Sequence, residues 1–280
     1  MISKENKEIK IVHSSGNSVV INKLGATITS FKDAHQKEHL FLSNKLIPGK
    51  AIRGGIPIAF PVFGKPPTSG AYSDLPQHGY ARISEWTYDE TPVMDNDDGV
   101  SVRFILDSPP KLPPARLIYT VTLTAHQLTS TLHVKNTSST DVLPFQALLH
   151  TYYAGNPNEV GVKGLNGVRY SDKTTGGETR IESNDVVYAN KNTDSVYMNT
   201  TDEIHLTNGI KIRKHNLPDT VIWNPSEGAK SMADMHEGGW NEFICVEPGH
   251  VRDFYDLVPG KEWIGFQNKS KQYAMRCYKI

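Results

Sequence analysis

The sequence predicts an all-β protein, a large antiparallel β-sandwich with few short helices. Apolar residues recur with a period of two, turn-forming clusters separate the runs, and helical periodicity is scarce. The chain has 280 residues, within the range of single large all-β domains. Its 22 glycines and 17 prolines are spread throughout. No internal repeat, low-complexity tract or long linker divides it. We therefore expect one domain over residues 1–280, a sandwich of two sheets.

The runs can be taken in chain order. Val100, Val102, Phe104 and Leu106 alternate with Ser101, Arg103 and Ile105. Tyr119, Val121 and Leu123 alternate with threonines, and Leu128, Leu132 and Val134 follow across a short polar break. These read as half-buried strands of a β-meander. Between the runs lie the turn clusters DNDDG, DSPPKLPP, NTSST, NPNE and TTGGE. The best helical signal, Glu227 to Met235, amounts to a turn or two. Near the C-terminus Phe243-Ile244-Cys245-Val246 runs up to Glu247, and Pro248-Gly249 are expected to stop the strand just beyond that carboxylate.

Charge and cysteine content exclude several classes. Thirty basic and 30 acidic residues cancel, so nothing suggests a nucleic-acid or anionic-membrane partner. No apolar run is long enough for a bilayer-spanning helix. The N-terminal stretch MISKENKEIKIVHSSGNS has no apolar core of signal-peptide length, and an intracellular, cytoplasmic protein is expected. Cys245 and Cys277 form no CxxC pair and read as buried thiols.

Four segments depart from ordinary strands and turns. In AIRGGIPIAFPVFG, Arg53 stands alone among apolar residues, beside glycines that allow close backbone approach. In LPQHGYARIS, Gln77, His78 and Arg82 cluster around Gly79. An amide, an imidazole and a guanidinium suit a polyhydroxylated or anionic ligand, and two arginines could converge on one phosphate. In LPFQALLHTYYAGN, His150 ends an apolar run, as Glu247 does in EFICVEPGHV. Taken singly, each of these residues is as well explained by a structural role: a snorkelling arginine, a solvated loop, a core histidine, a paired strand-end glutamate. Other templates fail. GKPPTSG lacks the GK[ST] of a P-loop, HEGGW lacks the second histidine of HExxH, and GxSxG and GxGxxG are absent. The 11 histidines show no metal-ligand spacing, so neither a metal nor a cofactor is expected.

Together the segments resemble the glucose-6-phosphate 1-epimerases of the aldose 1-epimerase superfamily. The motifs IRGGIPIAFPVFG, QHGYAR, LLHTYY, WNPSEGAKSMADM, CVEPG and VPGKEW carry the likeness, in that order, from Ile52 to Trp263. The resemblance implies a galactose mutarotase-like supersandwich and a metal-free sugar-phosphate mutarotase, expected to act as a monomer on a small-molecule hexose 6-phosphate. It implies that His150 is the general acid and Glu247 the general base, and that Arg53, Gln77, His78, Arg82 and Asp194 of TDSVY bind substrate. The family usually carries an aromatic residue after WNP. Here it is Ser226, which puts the local packing and the role of Lys230 in question.

Mutarotation needs one proton removed from the C1 hydroxyl and one delivered to the ring oxygen. A carboxylate and an imidazolium can do both, each typically contributing about 10²–10⁴-fold. Mutual attraction would keep Glu247 ionised and His150 protonated at rest, against the desolvation of both. Three alternatives share parts of this pattern. A free-aldose 1-epimerase would not need phosphate-binding arginines, and a non-catalytic sugar-phosphate-binding sandwich would not need the acid and base. A glycoside hydrolase would mostly use two carboxylates.

Overall fold

A computed structural model describes residues 1–271; Cys277 lies outside the described residues. The chain opens with β1 (Ile2–Glu5), β2 (Glu8–Val12), β3 (Ser18–Asn22) and β4 (Thr27–Lys32). A long connection holds β5 (Ile58–Ala59) and a 3-10 turn, Ala81–Ile83. Then come β6 (Thr87–Asn96), β7 (Gly99–Asp107), β8 (Ala115–Leu123), β9 (Gln127–Asn136), β10 (Leu143–Leu149) and β11 (Tyr152–Ala154). Shorter strands follow: β12 (Gly161–Lys163), β13 (Arg169–Asp172), β14 (Glu178–Ile181), β15 (Val186–Tyr188), β16 (Thr193–Tyr197) and β17 (Glu203–Leu206). The chain continues with β18 (Ile210–His215), β19 (Asp219–Asn224), β20 (Phe243–Leu257) and β21 (Glu262–Lys271).

Among the described residues these strands make three antiparallel sheets, where the sequence reading anticipates two. β1 to β4 form a small N-terminal meander. A second sheet runs β14-β13-β16-β19-β20-β10-β5, with β11 also paired to β20. A third runs β15-β12-β17-β18-β21-β9-β8-β7-β6 and contains the expected meander, with Val102 opposite Val121 and Tyr119 opposite Leu132. Alternation marks strands and not the sheets they join: β2 alternates cleanly, with Ile9 and Ile11 buried between exposed Glu8 and Lys10, but nothing local says that β1 to β4 pair among themselves.

The second and third sheets bury facing residues. Tyr197, Ile222, Ile244 and Val246 pack against Val162, Ile204 and Ile212 in one apolar cluster. Burying each aliphatic side chain of this size contributes roughly 1.5–3 kcal/mol. Buried polar groups inside the fold are tied down. Lys214 donates to the carbonyls of Thr200, Leu217 and Pro218, and Asp219 accepts from the backbone N–H groups of Asn199, Val251 and Arg252. The Glu227–Met235 signal forms only a 3-10 turn, Ser226–Ser231. No helix of the described residues is long and apolar enough to cross a membrane.

One expectation fails. β20 does not stop at Pro248-Gly249; Thr220 pairs with Pro248, Asp219 with Gly249, and the strand continues to Leu257. The Val246 N–H donates toward the β11 side, to Thr151 O. By alternation the N–H that Pro248 lacks would face Leu149, the last residue of β10, whose carbonyl accepts from Thr151 Oγ1 instead. Gly249 is needed for a different reason, since a Cβ there would press on Leu148 and the Ala147 carbonyl.

Candidate active site

The second sheet turns one face to the core and the other to a cavity. Register pairs Asp194 with Trp223, Val221 with Glu247, Trp223 with Cys245, and Cys245 with Tyr152. Alternation therefore puts these side chains on the face away from Ile222, Ile244 and Val246. His150 joins them at the interruption between β10 and β11, with its ring stacked on Tyr152 at 4.7 Å. The interruption is sealed from behind. Gln267 of β21 donates to Thr151 Oγ1 at 2.8 Å, and Thr151 donates on to Leu149 O.

Loops bring the remaining groups over this face. Gly55 has φ 65°, and a Cβ there would run into the Ile28 carbonyl; Gly79 has φ 72°, and a Cβ there would meet the Phe60 carbonyl. Both loops thus lie tight against neighbouring backbone, a conformation and approach that glycine permits. Gln146 fixes the loop beyond β5 by accepting from the Phe63 N–H and donating to Val251 O.

The result is one cavity of about 220 Å³ lined by Arg53, Gln77, His78, Arg82, His150, Asp194 and Glu247. All seven expected site residues meet there, from segments that span much of the chain. His150 Nδ1 lies 3.3 Å from Glu247 Oε1. The distance suits an ion pair, but the geometry is not that of a hydrogen bond, and both carboxylate oxygens and the Nδ1 are buried without a hydrogen-bond partner. Buried polar atoms left open in this way are the atoms a ligand hydroxyl would satisfy.

Ionisation departs from the sequence reading. Burial pushes the His150 pKa well below its ordinary value, helped by His78, Arg82 and Arg53, and burial pushes Glu247 well above its own, with Asp194 adding to the effect. Both shifts favour the neutral pair, with the proton on Glu247 and His150 uncharged. Desolvation outweighs the attraction between the pair because almost no water reaches either group, Glu247 being 1 % exposed. The proton count is unchanged: the neutral pair and the ion pair each hold one transferable proton.

The arginines differ. Arg53 Nε and Nη2 engage Asp234 at 3.1 and 3.0 Å, and its Nη1 donates to Tyr152 Oη at 3.1 Å. Arg82 Nη2 donates to Gln77 O at 2.9 Å, its Nε is buried without a partner, and no carboxylate of the described residues pairs with it. His78 is held neutral, its pKa lowered to about 3 by burial and then by Arg82, Lys173 and Arg53, while its Nδ1 accepts from the Gly64 N–H. Burial raises Asp194, against the pull of Lys173. Lys230 lies elsewhere, ion-paired with the exposed Glu227, while Ser226 takes φ 49° and donates its N–H to Asn224 Oδ1.

Sequence reasoning missed Tyr152, Lys173, Trp223 and Asp234. Asp234 carried a signal, an acid enclosed in Met-Ala-Asp-Met, and Tyr152 lies within LLHTYY. Lys173 sits in an ordinary-looking turn beside TTGGE, and only strand register brings it to the site. His150, Cys245 and Glu247 have ligand atoms within 4.8 Å of one another and could hold a metal ion. Burial favours the protonated forms of Cys245 and Glu247, which opposes metal binding there, and Cys245 does not line the cavity.

The chain is similar to known proteins along most of its length. The family model for aldose 1-epimerase matches residues 7–268. This chain belongs to the aldose 1-epimerase family. A "Putative glucose-6-phosphate 1-epimerase" from Cenchrus ciliaris is 33% identical, over 86% of this chain and 77% of that protein. Another of the same name from Escherichia coli K12 is 31% identical, over 85% of this chain and 81% of its own. A crystal structure of "a putative mutarotase (YeaD) from Salmonella typhimurium" superposes with a TM-score of 0.81 at 25% identity, covering 97% of this chain and 93% of that one. This aldose 1-epimerase is thus an isomerase on a mutarotase β-sandwich, built to interconvert sugar anomers.

Proposed function

We propose that this epimerase interconverts the α and β anomers of a hexose 6-phosphate, glucose 6-phosphate foremost. The observation that carries the reading is Arg82, a guanidinium without a carboxylate partner among the described residues, lining the same cavity as His150 and Glu247. Arg53 lies beside it with its planar fork already oriented by Asp234 and Tyr152. Two arginines converging on one cavity suit a phosphate dianion better than a neutral sugar. The phosphate supplies binding energy remote from C1, and that energy orients the anomeric centre between acid and base.

In this reading His150 is the general acid and Glu247 the general base. Moving the shared proton from Glu247 to His150 creates the working pair. Glu247 then takes the C1 hydroxyl proton while His150 protonates the ring oxygen. The ring opens, C1 rotates, and the roles reverse on closure. Gln77 binds sugar or phosphate oxygens, Asp194 accepts from sugar hydroxyls, and His78 packs against His150 edge-on at 5.7 Å. The acid–base pair needs neither a metal nor a redox cofactor. All seven residues come from one chain, so a monomer of one catalytic domain would hold the complete site. A phosphorylated sugar does not cross lipid unaided, which supports the cytoplasm as the place of reaction.

The test is anomerisation of freshly dissolved α-glucose 6-phosphate, followed by polarimetry beside the galactose and mannose 6-phosphates and free glucose. The expected result is acceleration of a 6-phosphate well beyond free glucose. Equal acceleration of glucose would make the protein a free-aldose epimerase, and rates no faster than spontaneous would make it a binder.

A further inference from the structure

Lys173 stands on the sheet face that carries the proposed acid and base. Asp172 pairs with Ser195, so the next residue along, Lys173, comes opposite Asp194. Its turn is built firmly. The Asp172 carboxylate accepts from the Thr174 N–H at 3.0 Å and from Thr174 Oγ1 at 2.6 Å, and Gly176 closes the turn at φ 82°. Asp172 is thus committed to the turn and, at 3.6 Å, to Arg180. The Lys173 ammonium reaches back over the Phe63 ring, 4.0 Å from its centroid, and lines the cavity. No carboxylate of the described residues lies within ion-pair distance of it; burial lowers its pKa, and Asp194 and then Glu247 oppose that.

Strand order fixes its place relative to the other groups. Across the sheet come Lys173 beyond β13, Asp194 on β16, Trp223 on β19, Glu247 on β20, and His150 and Tyr152 at β10–β11. Arg53 is bonded to Tyr152, at the far end of that row. A hexopyranose 6-phosphate has a matching polarity. The ring oxygen lies between C1 and the carbon bearing the phosphomethyl group, and the hydroxyls on C2, C3 and C4 occupy the opposite edge. With the ring oxygen and C1 at His150 and Glu247 and the phosphate at the arginines, the hydroxyl edge faces Asp194 and Lys173.

We propose that Lys173 is a substrate-contacting specificity residue that, with Asp194, clamps the hydroxyl edge of the sugar ring, and that it is not a phosphate ligand. The carboxylate accepts from neighbouring hydroxyls and the ammonium donates to one of their oxygens. Phe63 holds the ammonium over the cavity without neutralising it. This inference rests on the hexose-phosphate reading and on its placement of C1.

Lys173→Met keeps the stem on Phe63 and removes the charge. Its kcat/KM would be measured on glucose 6-phosphate, free glucose, and the 2-, 3- and 4-deoxy analogues of glucose 6-phosphate. The expected result is a loss of about 10- to 100-fold, similar for glucose and glucose 6-phosphate, that shrinks toward nothing with one deoxy analogue. A loss confined to the phosphorylated sugar would make Lys173 a phosphate ligand and overturn the proposal. So would no loss, or the same loss with every deoxy analogue. The hexose-phosphate reading fails separately, if the unaltered enzyme does not accelerate glucose 6-phosphate. Calorimetric titration of glucose into the unaltered protein and the variant then decides Lys173, where equal affinity would overturn it.

Discussion

His150 Nδ1 and Glu247 Oε1 stand 3.3 Å apart across the gap where β10 gives way to β11 beside β20, close enough to share a proton yet not hydrogen-bonded. A pair held so near and left unsatisfied is arranged for atoms that arrive with substrate. Glu247→Gln keeps the shape and removes the basicity, and His150→Asn removes the acid. Each should lower kcat on glucose 6-phosphate by about 10²–10⁴-fold. The double variant should lose much less than the product of the two, because the residues act as a unit. Stopped-flow polarimetry reads both, and wild-type turnover in either single variant would refute the assignment.

The arginines should be separable. Arg82→Ala should cost glucose 6-phosphate about 10- to 100-fold in kcat/KM, the scale of a charge-assisted hydrogen bond, and leave free glucose nearly unchanged. Arg82→Lys should restore only part of this, because a point charge cannot copy a bidentate fork. Equal losses on both sugars would refute the phosphate role. The phosphate should act on kcat as well as on KM, since its charge offsets the arginines that add to burial in lowering the His150 pKa.

Asp234 should matter through Arg53 alone. Asp234→Asn removes the partner that takes Arg53 Nε and Nη2. The guanidinium then loses its fixed orientation, and KM for glucose 6-phosphate should rise roughly 3- to 10-fold with kcat nearly unchanged. A large fall in kcat with constant KM would place Asp234 in the chemistry instead.

How much of this was legible in sequence depended on the range of the interaction. The meander from Val100 to Val134 could be read from alternation because its strands are neighbours in chain and in space. Arg53, Gln77, His78, Arg82, His150 and Glu247 stood out as polar groups in apolar or glycine-rich settings, which is a local property. That they meet was not local. For His150 and Glu247 it follows from β20 pairing with β10 and β11, and for the loop residues from the close backbone approaches at Gly55 and Gly79. Lys173 shows the limit, because nothing within its own turn marks it. The protonation of the acid–base pair was equally hidden, since it depends on burial that several distant segments create together.

Acid should destabilise the fold through His78. Its folded pKa is about 3, below the ordinary 6.5, so the unfolded chain takes up the proton first. Stability is therefore lost as pH falls through 6.5, at up to about 1.4 kcal/mol per pH unit, and the loss continues until about pH 3. His150 adds a loss of the same sign. His78→Gln keeps an acceptor near the Gly64 N–H and removes the titration. Urea denaturation at pH 7.5 and 5.5 should show a smaller drop for the variant than for the unaltered protein. Equal drops would mean that His78 is not buried as a neutral group.

Glu247 should behave in the opposite sense. Its folded pKa lies well above the ordinary 4.5, because burial penalises the carboxylate. Below that ordinary value both folded and unfolded chains hold the proton, and the group has no effect on stability. As pH climbs from there toward the raised folded value, the unfolded chain releases its proton more readily, and stability is lost and not regained above it. Glu247→Gln has no proton to release. It should stabilise the protein at pH 8 and change its stability by almost nothing at pH 4. Thermal melts of the two proteins across that range would show the difference. A variant less stable than the parent at pH 8 would mean that Glu247 is held as a well-solvated or well-paired anion. A gain that grows with pH, coupled to lost turnover, would mark the carboxylate as a group retained for catalysis at the expense of stability.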